Sequence, residues 1–253
     1  MVRIIISGIA GRMGRRIGIL ASEDKDIEIA GALEFSGSPA VGKDAGEILG
    51  IGAIGKKVLS DLSDAGKAGD VLIEFTTPES TMAHLEEAAK KKMGVVIGTT
   101  ALNPQQVEKI HKVSKDIPIV FSPNMSVGAN ILFKVAEQVA RLLGKDYEAE
   151  IVEAHHDKKK DAPSGTAKRL GEAVSNAKGK VPPIHSIRLG DIVGDHTVIF
   201  AGNGERIELT HRAHSRDAFA KGALDAAKFL TTKKSGLYRM QDVIDVRGLT
   251  SNM

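Results

Sequence analysis

His155 and His156 stand side by side, Lys159 follows three residues later, and Ser164-Gly165-Thr166 close the same loop. Imidazole titrates near pH 6.5 in solution, so it can hand over a proton at neutral pH. Lys159 adds a full positive charge, and Ser164-Gly165-Thr166 open a helical pattern through Ala167, Leu170, Ala173 and Val174. The first-turn N–H groups of a helix and its partial positive charge suit a carboxylate or phosphate, and Gly165 lets such a ligand approach. Either Ser164 or Thr166 can cap this helix. Together these are the parts required to protonate an anionic substrate. Each part has a plainer reading: Asp157-Lys-Lys-Lys-Asp161 is also the composition of a solvated loop, and adjacent histidines are common surface residues. Their coincidence between Glu153 and Ala167 favours chemistry. Alternation over Glu148 to Val152 predicts the strand that delivers the histidines.

A second group lies at the start of the chain. Val2 to Ser7 is a near-continuous apolar run, the pattern of a parallel strand buried on both faces. It runs into Gly8-Ile9-Ala10-Gly11-Arg12-Met13-Gly14 and then a helical pattern through Ile17, Leu20 and Ala21. The G-x-x-G-x-x-G spacing departs from the commoner G-x-G-x-x-G dinucleotide fingerprint, but the physics carries over. Gly8 allows the tight turn, Gly11 lets backbone reach a pyrophosphate, and Gly14 lets helix pack on strand. A second strand, Ile27 to Leu33, ends at Glu34, twenty residues beyond Gly14. A carboxylate there accepts hydrogen bonds from adenosine ribose hydroxyls; the bland alternative is an exposed strand-end acid.

These groups need a scaffold. Strands at Asp70 to Phe75, Gly94 to Gly98 and Ile117 to Phe121 alternate with helices running to Lys92 and from Asn103-Pro104, which predicts a parallel sheet with helices on both faces. Phe35 to Asp61 is glycine-rich and irregular, with a strand near Lys57 to Ser60. Ligands of such sheets sit beyond the carboxyl ends of the strands, so the loops at Gly8, Glu34, Thr76, Gly98-Thr99-Thr100 and Ser122-Pro123-Asn124-Met125 should converge. Thr99, Thr100 and Asn124 suit a nicotinamide end, or serve only as caps and turns.

After a long amphipathic helix, Ser126 to Leu143, the pattern changes. A strand at 148–155 and a helix at 164–177 are followed by strands near Ile184 to Leu189, Thr197 to Phe200 and Glu205 to His211, then a helix from Ser215 to Leu230. Gly190-Asp191 and Gly202-Asn203-Gly204 read as hairpin turns, which predicts a mixed or antiparallel sheet with helices on one face. Its bare face and edges need cover, so an oligomer through this part is expected. Gly236 to Gly248 reads as a short helix returning to the first domain. The expected fold class is α/β: a Rossmann-type parallel-sheet domain over 1–126, rejoined by 235–253, and an α+β mixed-sheet substrate and oligomerisation domain over 127–234.

Composition narrows the function further. The 253 residues are enough for a full core and an enzyme. A net charge of +3, with 26% charged residues scattered along the chain, does not make the basic stripe of a nucleic-acid surface. With no cysteine, disulfides, thiolate catalysis and cysteine zinc sites are excluded. His211-Arg-Ala-His214 lacks a carboxylate partner at ligand spacing, and no metal is expected. No apolar run approaches the roughly 20 residues that cross a bilayer, and no secretory signal precedes the first strand. The expectation is a cytoplasmic protein with no nucleic-acid or membrane partner.

Several motifs taken together resemble the dihydrodipicolinate reductase family, whose members are also called 4-hydroxy-tetrahydrodipicolinate reductases. They are Gly8 to Gly14, Asp44-Ala45-Gly46, Gly98-Thr99-Thr100, Ser126-Val127-Gly128, Glu153 through Ala167, Gly194-Asp195-His196, and Gly236-Leu237-Tyr238 to Asp242-Val243-Ile244. The resemblance implies reduction of 4-hydroxy-tetrahydrodipicolinate, a small cyclic dicarboxylate, by a reduced nicotinamide cofactor in the diaminopimelate route to lysine. It implies His155 as proton donor, Lys159 as the lysine that helps protonate and bind substrate, and His156, Gly165 and Thr166 as carboxylate-binding positions, to which the helix start adds Ser164. It also implies cofactor contacts from Gly8, Ile9, Ala10, Gly11, Arg12, Met13, Glu34, Gly98, Thr99, Thr100, Ser122, Pro123, Asn124 and Met125, and a homotetramer through the second domain.

One departure bears on the cofactor. Family members that use NADPH well often carry arginine directly after the ribose acid, and here that residue is Phe35. Glu34 favours a free ribose hydroxyl, while Arg12 can still reach a phosphate, so NADH is predicted to be preferred with NADPH also usable. The rival readings are another two-domain dehydrogenase, acting on a sugar or on aspartate, and a nucleotide sensor without turnover. A sensor has no use for a proton donor beside an anion site.

Overall fold

The computed structural model describes residues 1–66 and 69–245. In chain order the first elements are β1 (Val2–Ser7), α1 (Arg12–Ser22), β2 (Ile27–Leu33), α2 (Ala45–Leu49), β3 (Val58–Leu59), β4 (Val71–Glu74) and α3 (Pro78–Lys90). There follow β5 (Gly94–Ile97), α4 (Pro104–Val113), β6 (Pro118–Phe121), α5 (Val127–Leu143), β7 (Glu148–His155) and α6 (Gly165–Lys178). The last are β8 (Ile184–Arg188), β9 (Asp195–Ala201), β10 (Arg206–Arg212), α7 (Asp217–Leu230), β11 (Gly236–Tyr238) and α8 (Met240–Asp245). Two compact units emerge, one of Met1–Met125 with the chain from Phe219 onward, the other Ser126–Ala218.

Among the described residues, the first unit has a seven-stranded parallel sheet in the order β11-β6-β5-β4-β1-β2-β3. Its central strands are mostly aliphatic, and Ile4, Ile5, Ile6, Leu72, Ile73, Val96 and Ile97 are all inaccessible to solvent. Burying each such side chain stabilises the fold by roughly 1.5–3 kcal/mol, and it explains why these strands read as near-continuous apolar runs. Strand order reverses between β1 and β4, so the loops after these two strands diverge and leave a crevice. A capping box made by Asn103 and Gln106, with Pro104 in the first turn, starts α4.

The segment expected as a single helix at 236–248 instead begins with β11, which extends the sheet beside β6 before α8. Three residues are too few for an alternating pattern to show; positions 246–248, like the rest of 246–253, lie outside the described residues. Helix α7, assigned by the sequence reading to the second domain, groups with the first unit from Phe219 on. At Gly222 a Cβ would come within 1.8 Å of the Met125 carbonyl oxygen, so glycine lets the helix touch that backbone. Lys228 then pairs with Asp24 at 2.7 Å.

The second unit has a four-stranded mixed sheet, β10-β9-β7-β8. The turn at Gly202-Asn203-Gly204 makes the antiparallel β9–β10 hairpin. Gly190-Asp191 makes none: β8 pairs in parallel with β7 after the α6 crossover, and β7 separates it from β9. Helices α5 and α6 pack on one face through Leu132, Phe133, Leu170 and Val174 against Ile151, Val198 and Phe200. The register places Val152, Ala154, Ile187, Thr197 and Ile199 on the opposite face, where none is fully buried.

Candidate active site

In the first unit the turn after β1 is held by its own backbone. The Gly8 and Ile9 amides donate to the Leu33 carbonyl at 2.9 and 3.1 Å, and the Gly11 amide donates to the Gly8 carbonyl at 2.9 Å. Gly8 has φ +73, and a Cβ at Gly14 would stand 2.0 Å from the Gly8 oxygen, so neither position tolerates a side chain. Gly11 is the N-cap of α1, and Arg12 and Met13 form its first turn. Glu34, just past β2, reaches this turn: its Oε2 accepts from the Ala10 amide at 3.0 Å.

The other strand ends of this unit hold one another. At Gly98 a Cβ would lie 2.2 Å from the Phe75 ring, which demands glycine. Thr99 is buried, with its hydroxyl bonded to that of Thr81 at 2.8 Å and accepting from the Thr76 amide at 3.3 Å. The Thr99 side chain thus ties two strand ends together, and Thr100 is the exposed hydroxyl. Ser122 donates to the Asn124 carbonyl at 2.8 Å, Met125 is buried and Pro123 is exposed. A group the sequence reading missed lies beneath: fully buried Glu74 pairs with His84 Nδ1 at 2.7 Å and accepts from Thr76, while His84 Nδ1 stands 3.3 Å from Ser7 Oγ. These polar side chains join the ends of β1 and β4 to α3. Polar residues scattered over 77 positions leave no local pattern that would have linked them.

In the second unit β7 ends on His155, whose side chain points inward with Glu153 two residues earlier, as strand alternation requires. Glu153 accepts from His155 Nδ1 at 2.5 Å, from the Arg188 guanidinium at 2.8 and 2.9 Å, and from the Ser164 amide at 3.2 Å. Arg188 also donates to the Asp161 carbonyl at 2.6 Å, tying the loop to the sheet. Ser164 is the cap of α6: its Oγ accepts from the Ala167 amide at 3.1 Å and lies 3.2 Å from His196 Nε2. Gly165 opens that helix exposed, with nothing within 4 Å of where a Cβ would be. Thr166 is buried in the first turn. His156 has a buried Nδ1 that no group among the described residues partners. Lys159 pairs with Asp161 at 2.8 Å. Glu153 sat inside the sequence signature without a role, though its two-residue offset from His155 was legible. Arg188 and His196 come from other strands, and only the fold brings them in.

The charges here are set by burial first. Burial pushes the Glu153 carboxyl up, but hydrogen bonds from Arg188, Ser186, His155 and the Ser164 amide outweigh it and bring the carboxyl down to about 2. Burial lowers the His155 imidazole below its ordinary value, and the Glu153 carboxylate opposes that. His196, edge-on to His155 at 5.1 Å between centroids, is lowered to about 3 by burial and then by His155.

A buried imidazole on a carboxylate has the form of a proton donor, and a glycine turn at a strand-order reversal has the form of a dinucleotide-binding turn. That combination places the chain among the nicotinamide-dinucleotide oxidoreductases. The model of Dihydrodipicolinate reductase, N-terminus, matches residues 2–125, and that of Dihydrodipicolinate reductase, C-terminus, matches 128–244. The chain belongs to the dihydrodipicolinate reductase family. It is 48% identical to the 4-hydroxy-tetrahydrodipicolinate reductase of Geotalea uraniireducens (strain Rf4) and 47% identical to that of Geobacter sp. (strain M21), each match covering 98% of this chain and 100% of the relative. Its fold matches that of a dipicolinate-bound dihydrodipicolinate reductase from Paenisporosarcina sp. TG-14 with a TM-score of 0.78, at 22% identity over 94% of this chain and 97% of that one. The parallel-sheet and mixed-sheet architecture expected from the sequence is therefore borne out.

Proposed function

We propose that the protein catalyses the NAD(P)H-dependent reduction of 4-hydroxy-tetrahydrodipicolinate to tetrahydrodipicolinate, with loss of water, in the diaminopimelate route to lysine. Family membership along nearly the whole chain supports this reading, as do the names of its relatives. The observation that carries it is the meeting, in one unit, of a buried imidazole, an ammonium and an amide-rich helix start. One hydride and one proton are added to the substrate and one water leaves. The reduced nicotinamide, when bound, supplies the hydride. His155 gives the proton. Lys159, His156 and the first turn of α6 at Ser164, Gly165 and Thr166 hold the two carboxylates, Ser164 chiefly through its cap.

The dinucleotide is assigned to the first unit. Gly8 to Met13 receive the pyrophosphate, Glu34 the adenosine ribose, and Gly98 to Thr100 with Ser122 to Met125 the nicotinamide end. The glycines there let the turn fold tightly on its own backbone, and the Glu34 carboxylate already reaches the turn. NADH is the preferred cofactor, because Phe35, 67% exposed, stands where a cation would be needed for a 2'-phosphate. Four copies assemble through the second unit, and the reaction runs in the cytoplasm. Among the described residues no helix is long and apolar enough to cross a membrane.

The deciding experiment follows the loss of reduced-cofactor absorbance when freshly made synthase product is added, with an unrelated carbonyl compound as control. Turnover with the dicarboxylate alone is expected, at a higher kcat/KM for NADH than for NADPH. No turnover would remove the activity, and a reversed ratio would remove the cofactor preference.

A further inference from the structure

Glu153 is fully buried, yet the reaction described above gives it no task. A buried acid braced by one arginine is an ordinary strut between β7 and β8, and the two Arg188 bonds would suffice for that. Glu153 does more: it also takes His155 Nδ1 and the backbone amide that begins α6. We propose that Glu153 is a positioning residue for His155, holding Nδ1–H against its carboxylate so that Nε2 is the nitrogen from which the proton leaves. This rests on the function assigned above.

A carboxylate can only accept here, so neutral His155 keeps its proton on Nδ1 and a second proton must enter at Nε2. When that Nε2 proton moves to the substrate carbon, the N–H bond breaks, the C–H bond forms, and the imidazole is left neutral with Nδ1–H still on Glu153. The Nε2 side faces Gly194, where a Cβ would stand 3.1 Å away and crowd this nitrogen. The groups facing the ring are Glu153 from β7, Arg188 from β8, His196 from β9 and Lys159 from the loop. Arg188 and Lys159 disfavour an imidazolium, and Glu153 is the acid that favours it.

The test compares full-length wild type with Glu153→Gln and Glu153→Asp. Glu153→Gln is expected to lower kcat roughly 10- to 100-fold. It should also move the alkaline fall in kcat to lower pH by about one unit, because the protonated donor has lost its anion. NADH affinity, read by fluorescence, should stay within about twofold. Glu153→Asp, which keeps the charge, should keep the wild-type pH limb. A Glu153→Gln enzyme with the wild-type pH profile would reduce Glu153 to a strut, whatever its kcat. Should Glu153→Gln fail to fold, the ring nitrogen shifts of 15N-histidine in wild type, assigned with His155→Gln, answer the same question. Nδ1–H as the neutral tautomer supports the proposal, and Nε2–H overturns it. Absence of wild-type turnover would instead strike the proposed function, and the tautomer would still be readable.

Discussion

Two histidines share one buried corner, and their surroundings give them different work. His196 is held down to about 3 by burial, so it stays neutral at neutral pH and cannot carry a proton to substrate. His155 is also lowered by burial, but it shares a direct hydrogen bond with the Glu153 carboxylate that opposes the shift, and it is the imidazole proposed as proton donor. Replacing it with glutamine should lower kcat by about 10²-fold or more while KM changes little. An unchanged kcat would take His155 out of the reaction. Lys159 is expected to behave differently because it both binds and protonates: Lys159→Ala should lower kcat and raise KM together. Steady-state kinetics on the two variants separates these roles, and wild-type values for Lys159→Ala would make its pair with Asp161 a surface contact. His155, His156 and Lys159 were legible because all three fall in one short stretch at the end of β7 and the loop after it. Glu153 was half legible, since alternation put it on the same strand face.

At the next scale, the proposed substrate site rests on α6, which Ser164 caps. Its hydroxyl satisfies the Ala167 amide and its own amide is held by Glu153, so the first turn has a fixed direction. Ser164→Ala should cost about 1 kcal/mol of stability, seen as a lowered melting temperature, and should raise KM for the dicarboxylate more than for NADH. Equal effects on both KM values would separate the cap from substrate binding. Patterns within an element were easy to read: the apolar stripe of α5, the near-continuous apolar runs of β1 and β4, and the start of α4 at Asn103-Pro104. Partnerships between elements were not. The parallel pairing of β8 with β7, and the addition of β11 beside β6, depend on where each strand lands after a crossover, which neither alternation nor turn residues encode.

On the scale of the whole molecule, one sheet face of the second unit remains without a covering helix of that unit. Ile187, 45% exposed, lies there with Val152, Ala154 and Ile199. Such a face is the natural seat for other copies of the chain. Ile187→Glu should therefore shift sedimentation from the proposed tetramer toward smaller species, and a wild-type protein that sediments as a monomer would remove the assembly. Read alone, the chain determined the order and kind of most elements, the glycine turn, the acid after β2 and the histidine loop, because each is written in residues close together and acts through local backbone geometry. Only the folded molecule decided that α7 joins the first unit, that Thr99 turns inward, and that Glu153, Arg188 and His196 surround one imidazole. Those outcomes depend on side chains tens of residues apart meeting in a closely packed interior, where shape and desolvation choose the partners.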